Sequence, residues 1–209
     1  MMLEFAQKQR STRGVSLTET AIVLGVVGAV LGSIWVMAAG MRNSVRQNDF
    51  SDELRTIVDN IRGNYAGKAY FDTTTMTTMM TTLKARNVFP GSTVQPSVTR
   101  VTTPFGVNTL SVCGWRATGS TNCSGAAVAN VPLFAIEVRF ANMGDCVQAV
   151  MRNSNPLTQP GLVDVYINGT GRVAANNSLP WTLATAITNC TGATSAAPKA
   201  VDYVYRLVP

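Results

Sequence analysis

Between Thr20 and Met41 lie 22 residues without a single charge, and one carboxylate, Glu19, stands immediately before them. No other feature limits so strongly what the chain folds into. A helix over this run is about 33 Å long at 1.5 Å per residue, which matches a bilayer core of roughly 30 Å. Upstream is a short basic leader with Lys8, Arg10 and Arg13, ending at Gly14. The positive-inside bias puts that end in the cytoplasm.

Two ordinary readings compete for such a segment. One is a plain transmembrane anchor. The other is a secretory signal peptide cleaved at the small residues Ala38-Ala39-Gly40. An apolar region of this length, carrying a glutamate, fits poorly with the roughly 7–15 residues usual in signal peptides. Glu19 separates the remaining readings. A carboxylate in an apolar helix costs a few kcal/mol near the bilayer centre and less near the interface. A plain anchor gains nothing from it, so Glu19 calls for a partner.

The stretch Arg13-Gly14-Val15-Ser16-Leu17-Thr18-Glu19, running into the apolar helix, resembles the N-terminal signature of type IV pilins, subunits of extracellular bacterial filaments. The resemblance implies a leader, residues 1–14, removed by a prepilin peptidase between Gly14 and Val15, with N-methylation of Val15. It also implies that Glu19 neutralises the N-terminal amine of a neighbouring subunit in the filament. A buried charge is costly alone and much less so when paired. Val15 at the first mature position points towards the type IVb class. The sequence departs from the family pattern in three places. Its leader is intermediate in length, Thr18 stands where isoleucine is common, and residues 15–41 contain no proline. Gly25, Gly28, Gly32 and Gly40 provide weak points instead, each costing up to about 1 kcal/mol against alanine. They also permit close packing between helices.

The helix is expected to continue past the apolar run, to a total of about fifty residues. Val45, Leu54, Ile57, Val58, Ile61 and Tyr65 supply an apolar stripe among charged neighbours, and Gly63 and Gly67 signal its end. Residues 15–41 then form a hydrophobic transmembrane and polymerisation helix, and residues 42–66 its amphipathic continuation. Residues 67–209 form a globular head, with a connector over 67–132 and a sheet with the so-called D-region over 133–209. The fold class is α+β: a long N-terminal helix packed on an antiparallel sheet.

Within the head, Met76, Met79, Met80 and Leu83 recur at helical spacing, predicting a short helix before Pro90 whose methionines fill the core. Residues 91–112 alternate β-branched and polar side chains around Pro96 and Pro104, which reads as edge or loop strands. Leu133–Phe140 and Leu162–Asn168 read as strands, the second stopped by an Asn168-Gly169 turn. Asp145 is expected to cap a short helix reaching Val150 or Met151, and Leu183–Ile187 forms another. Val201–Val208 closes the chain as a strand with Tyr203, Tyr205 and Leu207 on one face.

Four cysteines, Cys113, Cys123, Cys146 and Cys190, contain no CxxC pair, which argues against zinc. Export makes disulfides reasonable, and three connectivities are open from the residues alone. The pilin resemblance implies Cys146–Cys190 as the bridge bounding the D-region, which leaves Cys113–Cys123 across a Gly- and Ser-rich turn.

Composition excludes several functions. The chain has no histidine, which removes His-dependent catalysis and His-ligated metals. Asp145, Asp164 and Asp202 are dispersed, and no nucleophile–base pair or phosphate loop is visible, so no enzyme activity, cofactor or metal is expected. The leader carries +2 of the net +6, and the remaining basic residues are scattered without aromatic interleaving, so nucleic-acid binding is not indicated.

The expected function is a structural subunit held in the inner membrane and polymerised with identical subunits into an extracellular filament. Its partners are the prepilin peptidase and the assembly machinery, and its uses are adhesion, aggregation, motility, DNA uptake or conjugation. A minor pilin or a type II secretion pseudopilin is the nearest alternative within the family. From another class, a membrane-anchored periplasmic binding or adhesin domain that never polymerises remains open.

Overall fold

The computed structural model describes residues 16–71, 75–90, 99–115, 123, 132–168 and 179–207. Its longest element is helix α1, Leu17–Asn64. The chain divides into two compact units after Ser44, inside α1, and each is taken by itself.

In the first unit α1 is apolar on every side. Its side chains, Ala39 aside, are exposed or nearly so from Leu17 to Ser44. The glycines expected to weaken it do not interrupt it, since α1 is helical through Gly25, Gly28, Gly32 and Gly40.

In the second unit the C-terminal part of α1 lies on a sheet. The elements that follow are α2 (Met76–Ala85), β1 (Val101–Thr103), β2 (Gly106–Trp115), β3 (Leu133–Phe140), α3 (Met143–Asn153), β4 (Leu162–Asn168), α4 (Leu183–Cys190) and β5 (Lys199–Arg206). The five strands pair antiparallel in the order β1-β2-β3-β5-β4. Strand β5 thus inserts between β3 and β4, and β4 takes the edge.

The α1 stripe that enters the core is Phe50, Leu54, Ile57, Val58, Ile61 and Tyr65. Val45, expected in this stripe, is 55% exposed, and Phe50 takes the place one turn before Leu54. Phe50 lies edge-on to Phe105 and Phe140, with centroids 5.0 and 6.2 Å away. Leu110 and Val112 of β2, Ile136 and Val138 of β3, and Tyr203 and Tyr205 of β5 join the same core. The opposite face of the sheet carries a smaller cluster of Cys113, Trp115, Ala135 and Val204, covered by Cys123.

Helix α2 buries Met79, Met80 and Leu83, the methionine stripe expected of it, and Thr75 caps its start by accepting from the Thr78 amide. Three expectations for the head need correction. Of the edge or loop strands read over residues 91–112, β1 is an edge strand, but β2 is not: it is second in the sheet, paired to β1 and β3. Its ten residues contain no proline, so its amides serve ladders on both sides, while Pro104 falls in the β1–β2 turn. The sheet therefore begins upstream of residue 133, within the expected connector. Finally, Asn142, not Asp145, caps α3: its side-chain oxygen accepts from the amides of Gly144 and Asp145 at 2.7 and 3.4 Å. Asp145 sits in the first turn and pairs with Arg46 at 3.4 Å. Smaller shifts occur at two ends. Helix α4 extends past Ile187 to Cys190, and β5 starts at Lys199, opposite Phe140, and ends at Arg206.

Candidate assembly surface

Local chemistry defines where α1 starts. Ser16 precedes the first helical residue, and its Oγ accepts the Glu19 amide at 3.2 Å. The Thr20 amide donates to the Ser16 carbonyl at 3.1 Å. Ser16 and Glu19 have the Ser-x-x-Glu spacing of a capping box, in which the serine satisfies an orphan amide of the first turn. This role of Ser16 was absent from the sequence reading, although the spacing signals it. Glu19 itself is exposed in the first turn, where the helix dipole favours negative charge. A helix-capping contribution thus accompanies any role in pairing with another chain. Gly14 and Val15 lie outside the described residues.

Beyond Glu19 the surface is greasy. Ile22, Leu24 and Trp35 are 63, 66 and 73% exposed, and the most apolar 18-residue window of α1 has a mean hydropathy of 2.3 with none of it buried. Gly25, Gly28 and Gly32 recur at three- and four-residue spacing, so they share a face of the helix. A Cβ built on any of them meets nothing within 4 Å. Exposed apolar surface on this scale marks a membrane or protein contact. By length and composition this helix is able to cross a bilayer.

Two disulfides tie the second unit. Cys146–Cys190 joins α3 to α4 with Cα atoms 5.8 Å apart, and Cys113–Cys123 fastens Cys123 to β2 with Cα atoms 5.3 Å apart. Cys146–Cys190 is the pairing implied by the pilin resemblance, and Cys113–Cys123 is the one it leaves. Cys123 is also held from below, because its amide donates to Glu137 Oε2 at 3.3 Å. Glu137 is fully buried, and its other oxygen accepts from Arg100 at 2.8 Å and Arg139 at 2.9 Å. Cys123, Glu137 and Asp202 lie close enough together to suggest a metal-ligand set. Their chemistry does not fit one: the cysteine sulfur is bonded to Cys113, and two guanidiniums already neutralise Glu137. Paired charge here stabilises the fold around Cys123.

A long N-terminal helix whose C-terminal part lies on a five-stranded antiparallel sheet, with a disulfide joining α3 to α4, is a pilin-like fold. The particular fold is similar to the crystal structure of a type IV b pilin from Salmonella typhi, at 20% identity and a TM-score of 0.50, covering 77% of this chain and 98% of that one. TcpA, a type IV pilin from Vibrio cholerae El Tor biotype, aligns at 13% identity and a TM-score of 0.48, over 76% of this chain and 98% of its own. At 20% identity the likeness to the Salmonella typhi pilin is one of fold. No protein-family model matches the chain, and no curated protein matches it in sequence.

Proposed function

We propose that this chain is a type IVb-like pilin that is stored in the inner membrane and polymerises through the apolar half of α1. The observation that carries this reading is that apolar half itself. It is long enough to span a bilayer, has none of its most apolar window buried, and carries one carboxylate at its start. A lipid bilayer satisfies such a surface before assembly, and the helices of other subunits satisfy it afterwards. Cleavage between Gly14 and Val15 leaves an amine four residues before Glu19, and N-methylation keeps that amine cationic. In an apolar filament core the amine of one subunit and Glu19 of the next neutralise each other, which sets register along the stack.

The test is the mass of protein sheared from the cell surface. The expected chain begins at N-methylated Val15 and contains two disulfides. A chain beginning at Met1 and found only in membranes, or one beginning after Gly40, overturns the reading.

A further inference from the structure

Clefts of opposite charge flank α1 in the unit that begins at Val45. The first, of about 490 Å³, is lined by Asp49, Asp52 and Glu53 together with Pro90, Thr102 and Pro104. No described ion pair engages any of these three carboxylates. Glu53 Oε1 is buried without a hydrogen-bond partner among the described residues. Burial, and after it the Asp49 carboxylate, pushes the Glu53 carboxyl up to about 7. Among the described residues that line the cleft none is basic, and Arg46, which donates to the Pro104 carbonyl at its rim, is paired with Asp145.

On the other flank two adjoining clefts, of about 400 and 460 Å³, share Arg55 and Thr158. Arg55, Arg62 and Arg152 line them, and each guanidinium rests on neutral acceptors. Arg55 donates to the Thr158 carbonyl at 3.1 Å, Arg62 to the Pro160 carbonyl at 3.0 Å, and Arg152 to Asn48. Asp59 also lines this groove, and Asp52 borders both flanks. At about 100° per residue, Asp49, Glu53 and Thr56 fall to one side of the core stripe Phe50–Leu54–Ile57–Ile61, and Ser51, Arg55 and Arg62 fall to the other. Among the described residues, an acidic face and a face where three arginines outnumber two carboxylates lie on two sides of one helix, within about 20 Å of its length.

We propose that the two faces meet between copies: the acidic cleft of one subunit receives the Arg55–Arg152 groove of a neighbour. This rests on the pilin reading and extends it to the head. Charge complementarity picks a second copy as the occupant, since both halves of the contact belong to the same chain. A contact between unlike patches is heterologous, so each added subunit leaves a free face of each kind, and the array grows as an open helix if it does not close into a ring. The apolar helices supply most of the cohesion. The charged contact fixes rotational register and rejects misaligned neighbours, where like charges face each other.

The experiment uses the full chain expressed with its assembly system, scored by sheared filament. One variant carries Asp49→Lys and Asp52→Lys, making both faces basic; another carries Arg55→Glu and Arg152→Glu, making both acidic. Each alone is expected to lose filament at least tenfold, and co-expression is expected to restore it, because the two chains can alternate. Asp49→Asn with Asp52→Asn, a milder change, is expected to give weaker filaments whose fragmentation depends less on salt than that of the unmodified chain, and an unchanged salt dependence overturns the inference. The thermal midpoint of each membrane-extracted subunit checks that it is folded. Folded charge-reversed chains that each polymerise as the unmodified protein does overturn the inference, as does loss without rescue on co-expression. Absence of filament from the unmodified chain overturns the pilin reading instead, and this inference with it.

Discussion

Arg62 near the end of α1 donates two hydrogen bonds, at 3.2 and 3.1 Å, to the carbonyl of Arg206 at the end of β5. A third reaches Pro160 at 3.0 Å. The guanidinium therefore ties the last turns of the helix to the last strand and to the segment leading into β4. Gly161 is the glycine that makes room for it: its φ is +75°, and a Cβ there would collide with the Arg62 guanidinium. Arg62→Ala is expected to destabilise the head by about 1–2 kcal/mol, since charged hydrogen bonds to carbonyls are lost at a partly solvated site. Gly161→Ala is expected to cost at least about 1 kcal/mol, from its left-handed backbone and from the displaced arginine. Urea midpoints of the oxidised protein in detergent measure both. Equal midpoints for Arg62→Ala and the unmodified chain would remove the arginine from the account.

The two bridges should differ in worth. In the chain-entropy model, the Cys146–Cys190 loop is stabilised by about 4 kcal/mol and the shorter Cys113–Cys123 loop by about 3 kcal/mol. Cys146→Ser with Cys190→Ser is expected to leave little folded head at 37 °C. Cys113→Ser with Cys123→Ser is expected to leave it folded, because Glu137 still holds the Cys123 amide. Trypsin resistance of membrane-extracted protein reads the difference, and the opposite ranking refutes this assignment.

Glu53 makes stability depend on pH. Its carboxyl is raised from 4.5 to about 7, first by burial and then by Asp49. The folded state thus binds the proton more tightly than the unfolded chain. Its contribution is fully present below about 4.5, falls as pH rises towards 7, and is gone above that. Glu53→Gln is expected to flatten this part of the profile and to raise the melting temperature at pH 8 relative to the unmodified chain. Melting curves from pH 4 to 8 check it. A profile unchanged by the substitution would show that other groups control the slope.

Glu19 and Ser16 allow capping to be separated from assembly. Ser16→Ala removes the acceptor for the Glu19 amide and costs about 1 kcal/mol of helix-start stability, while leaving the carboxylate. Glu19→Ala removes the carboxylate itself. If Glu19 pairs with a neighbouring amine, Glu19→Ala abolishes or strongly slows filament formation, leaving folded membrane monomer, and Ser16→Ala does so only slightly. Equal defects in the two variants would reduce Glu19 to a helix-capping residue.

Much of this architecture was legible in the amino-acid order, because its signals are local. An uncharged run of bilayer length, the methionine spacing of α2 and the alternation in β3 and β4 each act over a few turns or pleats. Even so, local patterns misled at particular places. Asp145 and Asn142 are both good caps, and only the path of the chain leaving β3 put Asn142 at the extended position before α3. Val45, expected in the stripe, stands nine residues before Leu54, about half a turn out of phase, and the packing of Phe50 with Phe105, Phe140 and Tyr203 decided where the buried stripe begins.

By itself, the sequence determined that α1 is a long helix, apolar then amphipathic, and that the head mixes helices with antiparallel strands. The tertiary structure alone decided that β5 lies between β3 and β4. It also put Glu137 under Cys123 between Arg100 and Arg139, and gathered acids on one flank of α1 and arginines on the other. The reason is range. Helix and strand periodicity come from interactions between residues a few positions apart. Strand order and charge pairing join residues tens of positions apart, and their cost and gain exist only once the chain has brought them together.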